Sequence, residues 1–176
     1  MTDSPATALP GGAAGGRADA LYVFHLTDIH ARVGAERRPA PLFPGILHPD
    51  RGDGEIVAGL AGLDVLLRTE VAALPAGAAS LLVCCGDVIG LEIPADLATV
   101  GAVGVDALQR LCERAGVDAA VWLLGNHDVD HGVTRLDALR GRLHTVAVIG
   151  GNVAFDGVVV SAPVRTLTIR GRRVGL

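Results

Sequence analysis

Lysine is absent from the 176-residue chain, so all 15 basic side chains are arginine, set against 19 acidic ones for a formal net charge of -4. With a pI near 5.8, it has no basic stripe to displace counterions from phosphates, which excludes a surface that coats nucleic acid. Aromatic residues make up only 3%; with the abundance of Ala, Gly, Val and Arg this reflects coding bias and carries no mechanistic weight. Cysteine is scarce. Cys84, Cys85 and Cys112 cannot pair off evenly, and neighbours in one strand point to opposite faces, so a disulfide framework is excluded and buried thiols in a reducing compartment are expected. No run approaches the ~18 uninterrupted apolar residues that a membrane span needs, because Asp, Arg, Glu or Gly recurs throughout. The first twenty residues lack both a basic n-region and an apolar h-region. They are expected to be a disordered leader, 1–20, on a cytoplasmic protein.

What is present is a large apolar fraction, 50% hydrophobic residues with a mean hydropathy of +0.45, enough for one globular domain over 21–176. Leu21 to Thr27 is a short apolar run ending at Asp28 and is predicted to be the first strand. A loop follows, broken by Arg37-Arg38-Pro39, Pro41, Pro44 and the segment Asp50 to Gly54. Ile56, Leu60, Leu63, Leu67, Val71 and Leu74 recur at helical spacing, with Asp53 and Glu55 ahead and Pro75 behind, which predicts an amphipathic helix. Ser80 to Cys85 is a continuous apolar run, the pattern of a strand buried on both faces. A second helix is expected over Thr99 to Ala115, with Gly116 as its left-handed cap and with Gly101 and Gly104 weakening its first turns. Ala119 to Leu124 predicts a third strand, Val133 to Leu143 a third helix, and Thr145 to Ile149 a fourth strand. Beyond Gly150-Gly151 the pattern changes to strands alone: Val158 to Ser161, Arg165 to Ile169 and Arg173 to Leu176.

Strands alternating with helices imply an α/β fold with right-handed crossovers, a parallel sheet, and a site outside the carboxyl ends of the strands. Polar residues collect at that edge. Asp28-Ile29-His30, Gly86-Asp87-Val88-Ile89-Gly90 and Gly125-Asn126-His127-Asp128 terminate three successive strands. In an extended segment, residues i and i+2 face the same way, so Asp28 and His30 are expected to turn toward one metal while Ile29 faces the core. Carboxylate oxygen with imidazole nitrogen suits Mn, Fe, Zn, Co or Ni. Asp87 is placed to bridge to a second ion, to which Asn126 offers a neutral carbonyl oxygen; ions roughly 3.5 to 4 Å apart would polarise a phosphoryl group and acidify a water. Gly86, Gly90 and Gly125 are expected where the chain turns sharply or approaches a ligand closely.

These motifs, in this order, resemble the calcineurin-like metallophosphoesterase superfamily, and the stretch Gly116 to Gly132, with Gly151-Asn152-Val153, is similar to its 5'-nucleotidase branch. The resemblance implies an α-β-β-α sandwich, of which this chain carries the N-terminal half: a mostly parallel first sheet and the start of the second. It implies metal ligation by Asp28, His30 and Asp87 at one ion and by Asp87 and Asn126 at the other, hydrolysis of a phosphate monoester such as a nucleotide, and His127 at the leaving group with Asp130 orienting its ring. The sequence departs from the branch at Asp128, where Glu is usual, and in lacking the two later histidine motifs, so 21–176 reads as a partial domain with an incomplete second site. The alternative is a catalytically incompetent remnant that binds at most one ion weakly; a third reading is an assembly module completed by another chain. Among the other histidines, His25 is expected to be core or near-surface, His48 solvent-facing, His131 within reach of the cleft but more simply at the surface, and His144 at a helix end. Cys84 and Cys85 are read as core residues, and Arg37, Arg38 and Arg51 as solvated loop residues.

Overall fold

The computed structural model describes residues 16–32, 59–90, 94–150 and 165–176, together with the short strands at 36–38, 55–57, 154–155 and 158–159. The elements run β1 (Leu21–Leu26), β2 (Glu36–Arg38), β3 (Glu55–Val57), α1 (Leu60–Ala72), β4 (Ala79–Cys85), α2 (Pro94–Thr99) and α3 (Ala102–Ala115). Then follow β5 (Ala119–Leu123), a 3-10 turn at His127–Val129, α4 (Val133–Arg140), β6 (Val146–Ile149), β7 (Ala154–Phe155), β8 (Val158–Val159), β9 (Thr166–Ile169) and β10 (Arg172–Gly175). The fold is α/β: β1, β4, β5 and β6 form a four-stranded sheet in the order β1-β4-β5-β6, every pairing parallel.

Alternation along β4 divides the core into two layers. Leu82 and Cys84 face the helices with Trp122, Val105, Leu108, Cys112, Leu136 and Leu139, all buried. Ala79 and Leu81 face the other way, where Ile169 of the antiparallel β9–β10 hairpin covers them. α3 supplies Val105, Leu108, Leu111, Cys112 and Ala115 to the first layer, the three-and-four spacing of one helix face; each fully buried Val or Leu contributes about 1.5–3 kcal/mol. Gly116 ends α3 at φ 69°, its N–H donating to the Cys112 carbonyl, the left-handed cap expected from the sequence. Among the described residues no helix is long and apolar enough to cross a membrane.

Several boundaries differ from the sequence reading. Arg37 and Arg38, expected in loop, lie in β2, and Ile56, expected in helix, lies opposite Arg37 in β3; β-branched Ile56-Val57 favours a strand, and two residues cannot distinguish a helical period from an extended one. Helix α1 begins only at Leu60, after extended Gly59, where the Leu60 N–H is held by the Arg32 carbonyl at 2.8 Å. The second helix is split, because Val100 (φ 51°) and Gly101 (φ 83°) both turn left-handed between α2 and α3. α4 ends at Arg140 and not at Leu143. Ahead of β1, Ala20 closes a turn on Arg17 and its carbonyl accepts the Ala79 N–H. Residues 1–15 of the expected leader, the Pro39 to Gly54 segment with His48 and Arg51, Gly151-Asn152-Val153 and Ser161 lie outside the described residues.

Candidate metal centre

The first motif leaves β1 by an unusual backbone path. Asp28, His30 and Ala31 take φ of 53°, 46° and 53°, and Asp87 in the second motif takes 52°, four of the six non-glycine residues with positive φ among those described. Asp tolerates this region; for His and Ala it costs roughly 1–2 kcal/mol each, so the surrounding contacts must impose it. Those contacts are visible. The His30 N–H donates to the Asp87 carbonyl at 2.7 Å and the Ala31 N–H to that of Val88 at 2.9 Å, while Thr27 Oγ1 lies 2.6 Å from Asp28 Oδ2 and 3.1 Å from the Cys85 carbonyl. Asp28 and His30 therefore share a side because of two left-handed residues, and the extended alternation expected from the sequence is not what brings them together. Ile29 between them is buried in the helix-side core.

Side-chain atoms of Asp28, His30 and Asp87 lie within 4.8 Å of one another. His30 Nε2 is 3.7 Å from Asp28 Oδ1; Asp28 is largely exposed and His30 largely covered. His30 Nδ1 is buried without a hydrogen-bond partner. The two carboxylates repel each other at this separation, but with the imidazole they match the oxygen and nitrogen donors of a borderline divalent cation, so the group can hold a metal ion. Asp87 is also fixed from the third motif, its Oδ1 accepting the His127 N–H at 3.0 Å. The His127 ring stands edge-on to His30 with centroids 5.2 Å apart, and its Nδ1 is 2.7 Å from Asp130 Oδ2. Asn126 sits exposed between Gly125 and His127, just ahead of the 3-10 turn, and both of those neighbours lie against Asp87.

Two glycines make the approach feasible. A Cβ on Gly125 would fall 2.3 Å from Asp87 Oδ1, and one on Gly90 would fall 2.7 Å from His30 Nδ1. Both leave space for the Asp87 and His30 side chains.

The residue that organises the centre is Asp128, which the sequence reading treated only as a departure from a usual Glu. It is 1% exposed. Its Oδ2 accepts from the Asp87 N–H (3.0 Å), the Gly125 N–H (2.8 Å) and the Trp122 indole N–H (3.0 Å), and its Oδ1 from the Ile89 N–H (3.0 Å). Burial pushes its carboxyl above the usual range, opposed by the donors Ile89, Gly125 and Trp122, while the neighbouring Asp87 pushes it further up. One signal pointed here: a lone Trp in a buried strand must find an acceptor for its N–H, and Asp128 is the nearest carboxylate downstream.

His131, expected at the surface, is a correction. Its side chain is 9% exposed and its Nε2 lies 3.0 Å from Asp96 Oδ2, with Asp96 fully buried. The short α2, absent from the sequence reading as a separate element, carries that partner. His25 and His144 are exposed, the latter beyond the end of α4. Cys84 and Cys112 are core thiols: burial pushes Cys112 up to about 12 and Cys84 higher still, so neither offers a thiolate at neutral pH. A cavity of about 540 Å³ lies away from the centre, between the C-terminal end of α4 and β6. No protein-family model, curated protein or solved structure matches this chain. The fold and site define its class: an α/β domain with a four-stranded parallel sheet and an Asp-His-Asp group able to hold a metal ion.

Proposed function

We propose that this chain is a metal-dependent phosphoesterase of the metallophosphoesterase type, 5'-nucleotidase-like, acting on a small phosphate monoester. The observation that carries the reading is the convergence of Asp28, His30 and Asp87 within 4.8 Å, next to the His127–Asp130 pair. Supporting it, the three motifs occupy the carboxyl ends of adjacent parallel strands, where open α/β sheets place their ligands; the corresponding architecture is the first half of an α-β-β-α sandwich. Asp28, His30 and Asp87 would hold one divalent ion, Mn, Fe, Co, Ni or Zn by donor type, and Asp87 with Asn126 would contribute to a second. Bound there, such ions supply charge for the phosphoryl oxygens and lower the pKa of a water.

The chain's own residues do the rest. With Nδ1 fixed on Asp130, the His127 ring presents Nε2, the atom for protonating a leaving-group oxygen, and the carboxylate stabilises the charged ring. Gly90 and Gly125 keep space beside the ligands clear. The test is turnover of a chromogenic phosphomonoester by the purified chain with Mn, Co or Zn. Metal-stimulated hydrolysis lost in Asp87→Ala and reduced about 10²–10⁴-fold in His127→Ala is expected; equal rates for wild type and Asp87→Ala would end the proposal. A second reading is favoured by one observation, that the described His, Cys, Asp and Glu residues gather a single such group: a domain that binds one ion and does not turn over. Metal analysis after dialysis separates them: two ions per chain support the enzyme, one supports the binder, and none counts against both.

A further inference from the structure

Besides Asp128, a second buried aspartate ties the second motif to the chain just after the third, and nothing in the proposed chemistry uses it. Asp96 is fully buried in α2; its Oδ2 lies 3.3 Å from the Gly90 nitrogen, whose N–H it accepts, and 3.0 Å from His131 Nε2. Its Oδ1 is buried and has no hydrogen-bond partner. Burying a carboxylate with one oxygen unmatched costs stability, and Asp96 adds little structural return: the loops it joins are already tied by Asp128 through four donors. What Asp96 alone fixes is Gly90. Gly90 is the surface against which the His30 ring rests, with no space for even a Cβ beneath Nδ1. On the other side, Gly101 leaves room for His131, since a Cβ there would fall 3.2 Å from its Cδ2, and the Gly101 N–H is held by the Asp96 carbonyl at 3.0 Å.

We propose that Asp96 and His131 form a positioning pair that sets the orientation of the His30 ring in the metal centre through the backbone of Gly90. The pair touches no ligand atom; it acts through the residue on which the ligand leans. His131 adjoins Asp130, so one connected unit fixes both the His30 imidazole and the chain carrying the partner of His127. This rests on the metal reading of Asp28, His30 and Asp87 for its consequence, but its geometry concerns the metal-free protein too.

The experiment therefore has two arms on the full-length chain. In the first, histidine ring resonances are recorded without metal for wild type, Asp96→Ala, Asp96→Asn and His131→Gln. The His30 signal, assigned by His30→Gln, is expected to shift or broaden in Asp96→Ala and to a lesser degree in His131→Gln. It should stay near wild type in Asp96→Asn, whose amide oxygen at the Oδ2 position can still accept from both the Gly90 N–H and the His131 Nε2–H. In the second arm Mn²⁺ alone is titrated, and about 10–100-fold weaker binding is expected for Asp96→Ala with recovery in Asp96→Asn. An unmoved His30 ring in Asp96→Ala and His131→Gln overturns the pair whatever the metal does. A wild-type chain that ignores Mn²⁺ while its His30 ring still responds to Asp96→Ala supports the pair and removes the metal reading instead.

Discussion

Asp128 concentrates more of this site than any residue that would touch a metal. Three N–H groups converge on its Oδ2 and one on its Oδ1, and these come from β5, from the turn after β4 and from Gly125. Removing the carboxylate strands those donors in the interior, where each unsatisfied group costs about 1–3 kcal/mol. Asp128→Ala should therefore lower unfolding stability by at least about 3 kcal/mol, and Asp128→Asn by less, because its one oxygen can serve the three convergent donors while its amide opposes only Ile89. Urea unfolding of both variants beside wild type measures this. An Asp128→Ala protein within about 1 kcal/mol of wild type would mean that the network contributes little.

At the scale of elements, the β9–β10 hairpin is attached to the sheet by packing, by the Arg172 guanidinium donating to the Ala20 carbonyl at 3.2 Å, and by a polar clamp at Asp118. Asp118, at the entry to β5, accepts from the Ser80 N–H and hydroxyl through Oδ2 and from Arg170 Nε of the hairpin turn through Oδ1. Burial pushes its carboxyl up, but the hydrogen bonds from Arg170 and Ser80 outweigh this and hold it below the usual range. A depressed folded-state value means that this stability is present above the unfolded pKa, about 3.9 for Asp, and is lost as pH falls through the folded one. Asp118→Asn is expected to cost about 1–2 kcal/mol at pH 7, discounted for the half-exposed arginine, and to flatten the fall in stability below about pH 4. Denaturant titrations from pH 2 to 7 follow both effects, and an unchanged acid slope in Asp118→Asn would remove the clamp from the account. The sheet behind this clamp was legible in the sequence because buried parallel strands such as Ala79–Cys85 read as continuous apolar runs. The same holds for α3 and its Gly116 cap. What escaped were features set by tertiary contact: the break at Val100-Gly101, the β2–β3 pairing, and α2 with its buried Asp96. In the site, Asp28, His30 and Asp87 could be chosen by residue type and place at strand ends, whereas the left-handed turns that unite them have no sequence signature when glycine is not used.

Over the whole molecule the centre gathers like charges that a bound cation would offset. Folding brings the carboxylates of Asp28 and Asp87 and the His30 ring within 4.8 Å, whereas the unfolded chain keeps them apart in water. Among the described residues neither carboxylate is paired with an arginine; Asp28 meets Thr27 and His30, and Asp87 meets the His127 N–H. An ion that binds this arrangement and not the unfolded chain must stabilise the fold, by about 2.7 kcal/mol at a free concentration of 100 times Kd. For a chain of 176 residues, at roughly 2–4 °C per kcal/mol, that is a rise in Tm of about 5–10 °C. Mn, Co or Zn should produce it and a chelator reverse it, while Mg, which prefers an octahedral all-oxygen shell, should do less. Asp87→Ala should lose the response, from a metal-free Tm a few degrees below wild type, since alanine is strained at the left-handed Asp87 position by roughly 1–2 kcal/mol and the His127 N–H loses its acceptor. Thermal melts of both proteins with and without Mn²⁺ decide it: equal shifts in the two would place the ion elsewhere on the chain and separate the strand-end aspartates from any metal chemistry.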